Sequence, residues 1–120
     1  MKPIIEIQEN LILVMFIAKF IIHRDIKSSN IIVFNKKIIK LIDFGMAKLL
    51  EVNPESYQVY PTNSCVGTVP YMAPEVKTFQ GYDSKADIFS IGALIYEMAT
   101  GDVYVHDGVG HTNKTLYVNN

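Results

Sequence analysis

His23-Arg24-Asp25-Ile26-Lys27-Ser28-Ser29-Asn30 gathers several polar functional groups into one short, loop-like stretch. Two β-branched runs follow, Ile31 to Phe34 and residues 38–42, separated by Asn35-Lys36-Lys37. That spacing predicts a β-hairpin, which delivers the chain to Asp43-Phe44-Gly45. Working outward, residues 11–20 read as a largely buried helix. Residues 45–71 carry many turn and hydroxyl residues and few periodic signals, so they read as a long loop, and such loops in compact domains are usually functional. Ser84 and Asp87 have capping-box spacing, with Asp in place of Glu or Gln. Ile88, Ile91, Leu94, Ile95 and Met98 then repeat at helical spacing and are expected to face the core, and Gly101 falls at the C-cap. The helix from Ser84 to Thr100 is expected to be the most buried element. Residues 102–120, with Gly108, Gly110, Asn113, Asn119 and Asn120, read as a weakly ordered tail.

At 120 residues, 49% apolar and 19% charged, the chain has a globular composition and room for one domain. Its net charge of −1 gives no electrostatic footprint for nucleic acid or an anionic membrane. The apolar run at 11–18 is too short to span a bilayer and is interrupted by Lys19. Glu6 and Glu9 stand where a signal peptide needs basic residues. A single cysteine, Cys65, excludes an intrachain disulfide and points to an intracellular setting, cytoplasmic or nuclear. No basic neighbour marks Cys65 as reactive. His106 and His111 lack a third ligand, so a metal site there is not expected. Lys36, Lys37 and Lys40 read as a solvated hairpin edge.

The ordered pair of His23-Arg24-Asp25 through Asn30 and Asp43-Phe44-Gly45 resembles the catalytic loop and metal-binding motif of the eukaryotic protein kinase family. Ala73-Pro74-Glu75 supplies a third motif, and Gly67-Thr68-Val69-Pro70-Tyr71-Met72 resembles the substrate-site loop of the serine/threonine branch. Each triplet is weak alone; their shared order and spacing carry the resemblance. It covers roughly residues 11–101 and implies an α+β, partial protein-kinase-like fold. That fold would be mostly the helical C-terminal lobe with a small β-hairpin, the N-terminal lobe being absent. Residues 1–120 are thus expected to be a partial kinase domain.

The family's chemistry is transfer of the ATP γ-phosphoryl group to protein hydroxyls, which rests on positioning and charge neutralisation. By resemblance, Asp25 accepts the proton of the substrate hydroxyl and Lys27 neutralises charge on the transferred group. Asn30 and Asp43 hold Mg2+ through oxygen atoms, as a hard cation requires. Ile32 lies beneath the adenine. His23 and Phe44 pack together in a buried spine, and Gly45 permits the backbone turn that points Asp43 inward. Asp87 anchors the catalytic-loop backbone, beside its capping role. Glu75 is expected to need an Arg partner. Arg24 implies control by activation-loop phosphorylation, with Ser64 and Thr62 as candidate acceptors. Lys27 together with Thr68 is similar to the serine/threonine or dual-specificity pattern rather than the tyrosine one. Residues 39–47 with Val66-Gly67-Thr68 are also similar to the monopolar-spindle kinases.

Absent from the sequence are a glycine-rich phosphate loop, a Val-Ala-Ile-Lys strand and the Glu that pairs with its Lys. In the family those parts hold the ATP phosphates and cover the adenine. The isolated chain is therefore expected to lack kinase activity and to be marginally stable, with apolar faces left uncovered. The competing expectation is a non-catalytic, kinase-derived binding or regulatory fragment, or the product of a truncated gene model.

Overall fold

The computed structural model of the chain describes residues 5–7, 20–35 and 38–104. Residues 11–19 of the predicted helix at 11–20, residues 105–120, and both His106 and His111 lie outside the described residues, and Phe20 is in a turn.

The predicted hairpin is present. Strands β3 (Ile31–Phe34) and β4 (Ile38–Leu41) pair antiparallel, with Ile31 opposite Leu41 and Phe34 opposite Ile38. Asn35 leaves β3 with φ 50, a left-handed conformation that Asn tolerates better than most residues. Strand β1 (Ile5–Ile7) joins the other edge of β4, giving the order β1-β4-β3. Lys40 lies over the Phe34 ring, 5.1 Å from its centre. A second, two-stranded sheet pairs β2 (Ile21–Ile22) with β5 (Lys48–Leu49). Chain order explains its importance. β2 runs into residues 23–30, and β5 begins just after residues 42–47, so pairing the two strands fixes both loops at one place.

The helical part is α1 (Pro74–Lys77) and α2 (Lys85–Thr100). Gly101 ends α2 at φ 74, donating its N–H to the Glu97 carbonyl at 2.8 Å, as the C-cap position requires. One core cluster joins Ile22, Leu50, Met72, Ala73, Val76, Tyr82 and Ala86; a second joins Ile26, Leu41 and Leu94. Ile22, fully buried, ties β2 to the first of these. No helix among the described residues is long and apolar enough to cross a membrane.

Two expectations for α2 are corrected. Ser84 holds the expected N-cap position, but with helical dihedrals (φ −58, ψ −15) its hydroxyl makes no capping bond. Asp83 takes that role, its carboxylate accepting the Lys85 N–H at 2.8 Å, while Asp87 is committed elsewhere. The buried face is Ala86, Asp87, Ser90, Ala93 and Leu94. Ile88, Ile95 and Met98 are 48%, 55% and 69% exposed, so most of the expected core stripe faces outward. The reason is steric. α2 packs tightly on the 3-10 turn Val69–Tyr71, close enough for Ser90 Oγ to donate to the Tyr71 carbonyl at 2.6 Å. Small residues permit that approach, and the bulky ones turn away.

Candidate active site

The site begins with a buried carboxylate. Asp87, in the first turn of α2, accepts the His23 N–H at 2.7 Å and the Arg24 N–H at 3.0 Å. Arg24 holds φ 68, which a long L side chain adopts only when its surroundings impose it. Burial pushes the Asp87 carboxyl above its ordinary 3.8, while the His23 and Arg24 N–H donors and the Arg24 charge pull it down. The folded chain thus keeps this proton to higher pH than the unfolded chain does. The stability it contributes is full below about pH 3.8 and is lost as pH rises through the folded-state value. In urea titrations across that range, the stability of wild type relative to Asp87→Asn is expected to fall as pH rises.

His23 is buried and its ring is fully committed. Nδ1 accepts the Asp25 N–H at 3.2 Å, which leaves Nε2–H to donate to the Ile42 carbonyl at 3.2 Å. Those bonds assign a neutral Nε2–H tautomer. The ring meets Phe44 edge-on, centroids 4.8 Å apart.

Asp25 stands at the centre of a polar cluster. Its Oδ1 accepts the Thr68 hydroxyl at 2.6 Å, and its Oδ2 accepts Asn30 Nδ2 at 3.2 Å with Lys27 Nζ 3.4 Å away. Lys27 also donates to Thr68 Oγ1 at 2.9 Å. Thr68 therefore receives from the cation and gives to the carboxylate, joining residues far apart in sequence. Asn30, buried, spends its amide nitrogen on Asp25, with a further bond to the Asp25 carbonyl at 2.8 Å, so its amide oxygen is the atom available to a cation. The Asn30 carbonyl accepts the Ile42 N–H at 2.9 Å, which brings Asn30 beside the strand leading to Asp43.

Asp43 itself carries the left-handed turn (φ 62, ψ 77), and its Oδ1 accepts the Gly45 N–H at 3.2 Å. This corrects the role expected of Gly45, whose own φ is not positive. What Gly45 provides is room: a Cβ there would lie 3.1 Å from Asp43 Oδ1. Ile32, on β3, is 43% exposed. Glu75 sits half-buried in the first turn of α1.

The Arg24 side chain reaches out of the loop, Nε to the Met46 carbonyl and Nη1 to Ser64 Oγ at 2.9 Å. The two candidate acceptors differ sharply. Ser64 is exposed, whereas Thr62 is 5% exposed and its backbone pairs with Tyr82 in both directions. The Thr62 hydroxyl accepts Lys48 Nζ at 3.0 Å.

Lys48 was not singled out from the sequence, and Gly67 was read there only as part of the substrate-site loop. Gly67 has φ 123, and a Cβ there would stand 2.5 Å from the Arg24 carbonyl oxygen, an impossible approach to rigid backbone. Gly67→Ala is expected to cost about 2–3 kcal/mol in urea unfolding, and to loosen residues 66–72 first. The only sequence signal for it was its place in the motif.

Among the described residues no three His, Cys, Asp or Glu side chains gather as a metal cage. Asn30 and Asp43 are instead a sparse, hard-oxygen pair. Such a pair suits Mg2+, which keeps waters and takes phosphate oxygens beside one or two protein ligands.

The family profile described as "Protein kinase domain" matches residues 11–119. The chain is 46% identical over 83 residues to the serine/threonine-protein kinase AtPK1/AtPK6 of Arabidopsis thaliana, a match covering 69% of this chain and 17% of that protein. It is 38% identical over 87 residues to serine/threonine-protein kinase A of a Synechocystis species, covering 69% and 16%. It is 46% identical over 82 residues to mitogen-activated protein kinase kinase kinase 19 of Mus musculus, covering 68% and 6%. The chain thus spans less than a fifth of the length of each of these relatives. With the motifs, their geometry and the profile in agreement, this chain belongs to the protein kinase domain family, among its serine/threonine-type members.

Proposed function

We propose that these residues are the phosphoryl-transfer and substrate-positioning segment of a serine/threonine protein kinase. The observation that carries the reading is the Lys27–Thr68–Asp25 chain, closed at 2.9 and 2.6 Å. Asp25 is an acceptor-only group beside the loop where a protein hydroxyl would dock, so it is suited to orient that hydroxyl and take its proton. Lys27 supplies a point charge next to the same spot, suited to offset charge on the moving phosphoryl group. Asn30 and Asp43 would hold Mg2+, which when bound neutralises charge on the phosphates of ATP. Ile32 is the apolar surface offered to the adenine. Asp87, His23 and Phe44 keep these groups in register, and Gly45 leaves space for the Asp43 carboxylate. Glu75 is an anchor for the segment that follows the substrate loop.

Regulation follows from Arg24. Phosphorylation of Ser64 would place a dianion against its guanidinium, with Lys48 close behind through Thr62, and would order residues 57–66. Thr62, buried and paired, is the poorer acceptor.

The exposed Ile88, Ile95 and Met98 on the outer face of α2 support a second reading, in which this segment binds or regulates rather than catalyses. The test uses two samples. The purified chain is expected to phosphorylate nothing measurable in Mg2+ and ATP. A chimera, in which the 83 matched residues of AtPK1/AtPK6 are replaced by those of this chain, is expected to yield phosphoserine and phosphothreonine. Phosphotyrosine alone as the product would overturn the assigned substrate class.

A further inference from the structure

We infer that Ser28, Tyr71 and Glu97 form a clamp that positions the substrate-side turn against the catalytic loop, with Glu97 as its fixed point. Tyr71 OH donates to Glu97 Oε2 at 2.7 Å. Ser28 Oγ lies 3.2 Å from Glu97 Oε1 and also 3.2 Å from Tyr71 OH. Two hydroxyl protons serve these three contacts. The shortest contact takes the Tyr71 proton. The Ser28 proton then goes to the carboxylate, the stronger acceptor, leaving the Ser28–Tyr71 approach without a proton of its own. Both carboxylate oxygens are thus satisfied by two hydroxyls from different segments.

The clamp's position gives it leverage. Ser28 is the immediate neighbour of Lys27 and opens the 3-10 turn Ser28–Asn30. Tyr71 closes the turn that starts at Thr68, its N–H bonded to the Thr68 carbonyl at 3.0 Å. Glu97 sits near the end of α2, whose first turn already holds the loop through Asp87. One helix therefore grips the catalytic loop at one end and, through the clamp, grips both the loop and the substrate-side turn at the other. Tyr71 is 8% exposed, and its carbonyl is taken by Ser90 on the same helix. Holding Tyr71 and Ser28 in this way keeps Thr68 at its 2.6 Å contact with Asp25. The catalytic consequence rests on the kinase reading above; the ordering of the turn does not.

Amide hydrogen exchange of the full 120-residue chain separates the two. The probes are the Tyr71 and Met72 amides, bonded within the turn, and the Tyr82 amide, bonded to Thr62, as the control. Glu97→Ala removes both oxygens, so both hydroxyls lose their acceptor. Exchange at Tyr71 and Met72 is expected to quicken about tenfold, with Tyr82 unchanged. Ser28→Ala is expected to act in the same direction, and Ser28→Thr, which keeps the hydroxyl, to restore wild-type exchange to within about twofold. Unchanged turn amides in Glu97→Ala, equal acceleration at Tyr82, or Ser28→Thr behaving like Ser28→Ala would each overturn the clamp. No activity is needed, so a chimera that fails to phosphorylate leaves this result standing.

Discussion

Asp25→Asn in the chimera is expected to lower turnover by about a hundred- to ten-thousand-fold, the usual contribution of a positioned general base. The substitution is nearly isosteric, so the loss is chemical rather than steric. The Asn oxygen can still accept the Thr68 hydroxyl. Its NH2, however, would face Asn30 Nδ2 and the Lys27 ammonium, which now donate to the other carboxylate oxygen. Lys27 loses its counter-charge, and the group that would receive the substrate proton no longer binds one. Nucleotide affinity is expected to change little, since Asp25 is not among the residues assigned to ATP or Mg2+. Steady-state kcat and KM for ATP, measured side by side, check this. A variant that retains a tenth of wild-type turnover would remove Asp25 from the role of base.

Asp87→Ala is expected to have the largest effect on stability, about 3–5 kcal/mol. It leaves two N–H groups, those of His23 and Arg24, without an acceptor around a site that is 6% exposed in the native chain. It also removes what holds Arg24 in its left-handed conformation, so the loop should relax toward ordinary φ and carry Asp25 out of line with Thr68. Asp87→Asn is expected to be milder, because its oxygen keeps one of the two donors. Against a typical domain stability of about 5–15 kcal/mol, the alanine variant is expected to melt the loop, seen as lost dispersion of the residue 23–30 amide signals. A cost under about 1 kcal/mol in urea unfolding would contradict the anchoring role.

The hairpin was legible because β-branched runs on either side of an Asn-led turn leave few alternatives, and the register follows from the turn. Gly101 was legible for the same kind of local reason. The orientation of α2 was not. Its sequence is apolar on more than one side, so periodicity could not say which face meets the substrate-side turn; the small residues Ala86, Ser90 and Ala93 decide it by allowing close approach. The start of the helix was legible, with Ser84 at the N-cap, but the capping bond was not: Asp83 supplies it, and Asp87 is spent on the loop.

In the site, motif order placed Asp25, Lys27, Asn30, Asp43 and Thr68 on short, recognisable words. The words could not say that Thr68 bonds Asp25 and Lys27 together, because that contact spans some forty residues of irregular chain. The need for glycine at 67 and the use of Lys48 were out of reach for the same reason. The need for glycine at 67 comes from the Arg24 carbonyl, and the use of Lys48 comes from Thr62. Ser28, beside Lys27, has no distinctive sequence signal, and its two partners lie 43 and 69 residues away.

The most direct measurement is the single-turnover rate of phosphoryl transfer by the AtPK1/AtPK6 chimera, compared with the parent kinase and with the Asp25→Asn chimera. If Asp25, Lys27, Asn30, Asp43 and Thr68 form a working transfer centre, the chimera runs within about tenfold of the parent and at least about a hundredfold above Asp25→Asn. A folded chimera no faster than its Asp25→Asn form would contradict a catalytic role for this chain.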